Sequence, residues 1–555
     1  MKFKLFLLAA ITGAAVAPNA ALAQEYGPDD ASSINVTREL DEEVDEELED
    51  EKLSWDFRLT NEFHSFDNLD LRPFDPDEIS PQEIEQFDDR QMFGYTSVSA
   101  GVAYDVLDDT TFNFGGVLSG MWGNDQVGSA TDFQTPIYVY DLSVDWTAVD
   151  TGTFQLSTTL GRQGYAIGGV SDDYFFKDIV DGVSLNVDMG MAGRLRLMFD
   201  VFGEAGRPEN VDFADFIGAN AQTTNNFDGD TDVYRYGGVY EMLDIVDGFD
   251  LRAFGYGSYI GAARAGQLDD TTSTGTDISA QGQLANFADE DYTFMFGARA
   301  NYTLVADAFE LGLMAEFARS QGIDRKNTNL GLYDVNTNGN AYGAAANLFT
   351  DLGAVDVEGR LRFFRADGNN YTEQDGLLFN HGFVSMKGSE IGGINMERYA
   401  GWHPTSYVSG FKGIFDNPQD IDRKAGTMLV RAGAGFTFVD KIRLDLDGWF
   451  YQDTSETNFD VARAPEIDTP FGIGQPDLEA QERLGKTLGY ELNAALTYIA
   501  NDALSLYGIG GIFLPGEFYE IEIERAAGTA LGAPNGDADE LADFWVVSGG
   551  ATLAF

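Results

Sequence analysis

After residue 24 the chain has no apolar run of the ~18 residues needed to cross a bilayer as a helix. Its apolar residues alternate with polar ones instead. From Lys441 to Phe450 the even positions Ile442, Leu444, Leu446, Gly448 and Phe450 are apolar or Gly, whereas Lys441, Arg443, Asp445 and Asp447 are charged. Successive side chains of a strand point to opposite faces, so such a segment has one dry face and one wet face. The same pattern runs through Ala354 to Phe364 and through Arg194 to Val201. A soluble sandwich produces it by turning the dry face to a core. A transmembrane barrel produces it by turning the dry face to lipid, and must close so that no backbone edge is left unbonded.

The connections separate these architectures. Alternating segments fall near 55–63, 92–106, 109–122, 136–148, 153–163, 181–190, 193–203, 231–243, 249–261, 291–305, 308–320, 340–351, 353–366, 426–439, 441–453, 486–500, 503–514 and 543–555, which makes eighteen. Short turns near Leu107-Asp108, Val149, Met191-Ala192, Asp244 to Gly248, Ala306-Asp307, Leu352, Asp440 and Asn501-Asp502 alternate with longer Gly/Asp/Asn-rich stretches, among them 204–230, 262–290, 367–425, 454–485 and 515–542. A sandwich gives no reason for this parity; an outer-membrane barrel has short periplasmic turns and long extracellular loops. The expected fold is therefore all-β, a transmembrane antiparallel barrel of about eighteen strands, and a strand pair hidden in 367–425 would raise that count by two. In the last segment Trp545, Val547, Gly549, Ala551, Leu553 and Phe555 share one face. A terminal Phe on an alternating strand is similar to the signal read by the barrel-assembly machinery, an expected partner.

The N-terminal region sets the expected compartment. Lys2 and Lys4 precede an apolar run from Leu5 to Ala17, and Ala21-Leu22-Ala23 is a small-x-small cleavage site, so residues 1–23 read as a secretory signal peptide. Residues 24–53 read as an acidic periplasmic extension and 54–555 as the barrel, in the outer membrane of a Gram-negative bacterium among its lipids and lipopolysaccharide. The formal charge of −58 argues against a nucleic-acid partner, whose phosphates it would repel.

Once the dry face is assigned to lipid, charges at the opposite parity point into the lumen, because a mid-membrane charge on the lipid face costs ~2–4 kcal/mol. The inward bases are Arg58, Arg194, Arg196, Arg235, Arg252 and Arg299, then Arg360, Arg362, Arg431, Lys441 and Arg443. The inward acids include Asp56, Glu62, Asp141, Asp145, Asp200 and Glu316, then Glu358, Asp445, Asp447 and Glu491. Arginine suits carboxylate recognition, since its planar fork pairs bidentately and stays charged. Such a ladder either passes anionic or polyhydroxylated solutes or stiffens the wall by cross-strand pairing.

Catalysis finds little support. The histidines are His64, His381 and His403, all expected at a rim or in loops, and none has a legible nucleophile beside it. Asp334, Asn336, Asn338 and Gly339 match the opening of a calcium loop, but Ala345 stands where the bidentate Glu belongs. Asp228, Asp230 and Asp232 form a second cluster, and turn-forming Asp and Asn need no metal. Calcium in these segments is the one metal expectation; no cofactor is expected.

Several short motifs carry a family resemblance: Trp55-Asp56-Phe57-Arg58-Leu59-Thr60-Asn61-Glu62 opening the barrel, Leu160-Gly161-Arg162-Gln163, Asp181-Gly182-Val183-Ser184-Leu185, and Arg365-Ala366-Asp367-Gly368-Asn369 before the longest loop. With these the chain resembles the alginate-export outer-membrane porin family. The resemblance implies a monomeric eighteen-stranded barrel with an Arg-lined constriction for an anionic polysaccharide, in which Arg58, Arg162 and Arg362 are pore residues and Asp181 a partner near the rim. The expected function is passage of hydrophilic, anionic or carbohydrate-like solutes without catalysis. The alternative is a structural surface barrel whose acidic loops bind divalent cations or a surface layer.

Overall fold

The computed structural model describes residues 52–67, 91–107, 109–122, 137–167, 175–203, 233–260, 291–306, 308–328, 331–368, 370–374, 377–383, 427–439, 441–454, 456, 486–501, 503–517 and 543–555. The signal-peptide segment, nearly all of the acidic extension, Asp228, Asp230, Asp232 and His403 lie outside the described residues.

The described strands run in order β1 (Leu53–Asp67), β2 (Gln91–Leu107), β3 (Thr110–Trp122), β4 (Ile137–Asp150), β5 (Gln155–Ala166), β6 (Lys177–Asp188), β7 (Arg194–Gly203), β8 (Val233–Val246), β9 (Phe249–Ile260) and β10 (Asp291–Ala306). They continue with β11 (Phe309–Thr328), β12 (Gly331–Asp351), β13 (Val355–Ala366), β14 (Tyr371–Gln374), β15 (Leu377–Asn380), β16 (Thr427–Phe438), β17 (Ile442–Asp453), β18 (Thr487–Asn501), β19 (Leu504–Pro515) and β20 (Phe544–Ala554). Eighteen of them form a closed antiparallel wall in which each strand pairs with its neighbours in sequence, and β13 pairs with β16 across the intervening hairpin. β1 and β20 close the ring from Arg58↔Ala554 to Asp67↔Trp545. Phe57 and Phe555 complete the seam with two backbone hydrogen bonds of 3.1 and 2.9 Å. Closure leaves no strand edge, the one arrangement in which strands survive in hydrocarbon.

The two faces sort as a membrane barrel requires. Trp55, Leu160, Leu361, Leu446, Leu492, Leu496 and Val547 are exposed on the outside. The next residues along the same strands turn inward, and among these Glu62, Gln163, Glu491, Asn493 and Ser548 are buried. The short turns are built from local hydrogen bonds: Asp150 accepts from the Gly152 N–H at 2.8 Å, Asp188 from the Gly190 N–H at 2.8 Å, and Asn501 from Ala503 and Leu504 at 3.0 and 2.9 Å. No described helix is long and apolar enough to cross a membrane.

Two expectations change. The Gly/Asn-rich stretch between 320 and 340 is not a loop: β11 and β12 stay paired to Thr328↔Gly331. Glycine and asparagine favour turns but tolerate an extended ladder when nothing breaks the period of two. The loop after β13 does contain a strand pair, β14 and β15, yet it adds nothing to the wall. β15 instead lies parallel to Val335–Thr337 of β12.

Candidate functional site

The lumen is zoned by height. On the inward face of β17, reading away from the short-turn end, Arg443, Asp445 and Asp447 give way to Trp449 and Tyr451. On β13, Glu358, Arg360 and Arg362 give way to buried Phe364, and on β9 Arg252 gives way to buried Phe254 and Tyr256. On these three strands charge occupies the short-turn half and aromatic surface the long-loop half.

The charged zone has two clusters. In the first, Arg360 lies 2.7 Å from Asp445 and 3.6 Å from Asp447, Arg431 lies 2.8 Å from Asp447, and Arg443 bridges Glu358 and Asp445 at 2.7 Å each. Gly433, between Arg431 and Gly435 on the inner face, makes room for this cluster, because a Cβ there would overlap the Asp447 carboxylate. Arg362 faces Arg431 directly across the β13–β16 pairing. In the second cluster Glu241 sits between Arg196 and Arg252, at 3.1 and 3.2 Å. The side chains of Arg196, Arg252, Arg360, Arg431 and Arg443 retain 16–21% exposure, so they are paired and still open to the lumen.

Other arginines do different work. Arg235 forks onto Asp200 at 3.1 and 2.5 Å, and Arg299 lies 2.7 Å from Glu316. With side-chain exposures of 3% and 6% these guanidiniums are shut inside the wall. Arg194 pairs with Asp188 at 3.3 Å at the short-turn rim, and Arg58 faces inward opposite Ser99 and Ala554. Arg162 and Asp181 do not stand in the lumen. They pair bidentately at 2.7 and 2.5 Å on the outer face, beside Leu142, Leu160 and Val183, while the neighbouring Gln163 and Ser184 bond to each other inside. Mutual neutralisation lowers the cost of holding these two charges on the outer face.

The aromatic zone comes partly from segments whose parity cannot be read. Phe175, just before β6, contacts Phe254 of β9, Phe364 of β13 and Phe383 beyond β15, with ring centroids 5.6, 6.1 and 5.8 Å apart. It joins the β5–β6 connection to that hairpin across the lumen. Phe176 packs on Tyr165 and Tyr256, and the two tyrosine hydroxyls share a 2.8 Å hydrogen bond. Where the zones meet, guanidiniums lie on rings: Arg196 over Tyr165, Arg235 over Phe176 and Arg431 over Trp449, at 5.7, 5.0 and 4.9 Å. The inward parity of Phe254, Tyr256, Phe364, Trp449 and Tyr451 was visible in sequence and marks this zone. Phe175, Phe176 and Phe383 had no such signal.

The histidines differ from expectation in one respect. His64 is not solvated at a rim but 2% exposed in the wall, 3.1 Å from Glu62, which also accepts the Tyr507 hydroxyl. Its cross-strand neighbour Ser548 has a hydroxyl without a hydrogen-bond partner among the described residues. His381 lies 3.1 Å from the Thr372 hydroxyl. Asp334, Asn336 and Asn338 belong to β12, and the Asn338 amide oxygen accepts from Arg319 at 2.5 Å.

No family model and no curated protein matches the chain. Among solved structures it is similar to OprD of Pseudomonas aeruginosa, at 11% identity over 91% of this chain and 95% of that one, with a TM-score of 0.43. It is similar also to OccAB4 of Acinetobacter baumannii, at 10% identity over 91% and 98%, with a TM-score of 0.43. OprB of Pseudomonas putida follows at 9% identity over 91% and 94%, with a TM-score of 0.39.

Proposed function

We propose that this chain is an outer-membrane channel for small hydrophilic solutes, and that its lumen favours anionic or carbohydrate-like ones. The observation that carries this reading is the set of lumen-open arginines, Arg196, Arg252, Arg360, Arg431 and Arg443, each held by carboxylates yet part-exposed. A guanidinium pre-oriented by one carboxylate keeps further N–H donors for a passing carboxylate or hydroxyl. The aromatic surface above offers flat faces to sugar rings. A polyuronate of the alginate type, the solute implied by the family resemblance, combines both chemistries. The apolar outer face and closed wall support a membrane location, and the monomer is what the family resemblance implies.

Recording in planar bilayers tests the reading. Open conductance is expected, and Arg360→Ala with Arg362→Ala moves selectivity toward cations. The Phe175 cluster favours a second reading, a barrel closed at its long-loop end that serves as a mount for acidic cation-binding loops. Absence of conductance in a folded, inserted barrel would select it.

A further inference from the structure

The outer face of β10 to β13 carries two cations with no carboxylate partner among the described residues. Arg319 is at the parity of exposed Leu313 and Phe317, opposite Phe296, and so points away from the lumen. Among the described residues its guanidinium donates only to amide oxygens, of Asn338 at 2.5 Å and Asn340 at 3.4 Å. Arg365 follows exposed Leu361 and Phe363 on the outside of β13, opposite exposed Tyr342, and makes no ion pair among the described residues. Among the described residues the acid at the patch, Asp367, accepts from the Asn340 backbone and side-chain N–H groups at 2.9 and 3.0 Å.

Both arginines sit at one height. Arg319 is ten residues along β11 from Phe309, and Arg365 ten residues along β13 from Val355. At ~3.4 Å per residue and a tilt of ~40° that is about 26 Å, the height of the apolar band of a membrane barrel. Two strand spacings and two residues separate them, about 12 Å between Cα atoms. Phe317 and Tyr342, in ring contact at 5.4 Å, lie between and below them as an interfacial aromatic pair does. A lipid-facing charge is costly at mid-membrane and cheap only at the headgroup level, and the groups found there are phosphates.

We infer that Arg319, Arg365, Asn338 and Asn340 form a docking site for a phosphate-bearing lipid headgroup of the outer leaflet. Charge complementarity selects this occupant: the guanidiniums are the unneutralised cations of a patch whose host chain carries a formal charge of −58, and planar forks match phosphate oxygens. The inference rests on the membrane-barrel reading but not on transport. A barrel without conductance still tests it.

The full chain, folded in detergent, is titrated with bisphosphorylated lipid A and separately with its dephosphorylated form, and adducts are counted by native mass spectrometry. Wild-type protein is expected to retain the phosphorylated lipid, and the Arg319→Gln, Arg365→Gln double variant to lose retention about tenfold. Heat-modifiable gel mobility verifies that each variant is folded. Arg319→Lys, Arg365→Lys keeps the charge and is expected to keep most binding. Equal retention of the two lipids by wild-type protein, or unchanged binding by the folded Gln variant, would overturn the assignment. The wild-type comparison decides alone if the Gln variant fails to fold.

Discussion

Replacing Asp445 with Asn unbalances the pore wall at one known place. Asp445 accepts from Arg360 at 2.7 Å and from Arg443 at 2.7 and 3.0 Å, so the nearly isosteric amide removes one negative charge from two part-exposed guanidiniums. For an ion passing ~8 Å away, one extra positive charge is worth about 0.5 kcal/mol in water, roughly halved by screening at 0.1 M salt. The term has opposite signs for cation and anion, so the anion-to-cation permeability ratio rises about twofold. Under a tenfold salt gradient, a non-selective pore then shifts its zero-current potential by about 15 mV toward the anion limit. Arg360→Gln removes the opposite charge from the same cluster and shifts it the other way by a similar amount. Both shifts fade at 1 M salt, where the screening length falls to ~3 Å. Bilayer recordings that show unchanged selectivity in both variants, or shifts of the same sign, would refute the placement of this cluster on the ion path.

Phe175→Ala removes the ring that joins Phe254, Phe364 and Phe383 across the lumen, and single-channel conductance is expected to rise. Asp200→Ala removes the carboxylate onto which the 3%-exposed Arg235 side chain forks, a loss of up to ~3–5 kcal/mol read from the urea midpoint of the detergent-folded barrel. Arg162→Ala with Asp181→Ala removes an ion pair outside the pore, so conductance and selectivity are expected to stay at wild-type values in the same recordings.

Parity carried the wall and failed where the chain leaves it. Arg443, Asp445 and Asp447 face inward, as the alternation of 441–450 requires, because a strand offers each side chain only two directions. Arg162, which the family resemblance set in the pore, shows the limit of carrying a residue's role over by motif. Its parity with Leu160 sets it outside, and the partner that makes this tolerable, Asp181, is nineteen residues away on the next strand. The extension of β11 and β12 was hidden by Gly322, Asn338 and Gly339, residues with turn chemistry that here lie in register with a partner strand. Phe175, Phe176 and Phe383 lie between strands, where no period applies.

Exposure and pairing together divide the inward arginines into two mechanical classes. Arg235 and Arg299 tie neighbouring strands through buried ion pairs with side-chain exposures of 3% and 6%. Arg196, Arg252, Arg360, Arg431 and Arg443 share carboxylates among themselves, which fixes their direction without consuming every donor. Two of this second class, Arg196 and Arg431, also lie on aromatic rings at the boundary of the two zones. A ring covers one face of each guanidinium, and Arg196 also donates to the Ala166 and Ile167 carbonyls at 3.1 and 2.7 Å. On the proposed channel reading, a solute that combines a flat apolar face with a carboxylate or hydroxyl edge exchanges ring contact for charge-assisted hydrogen bonds at that boundary.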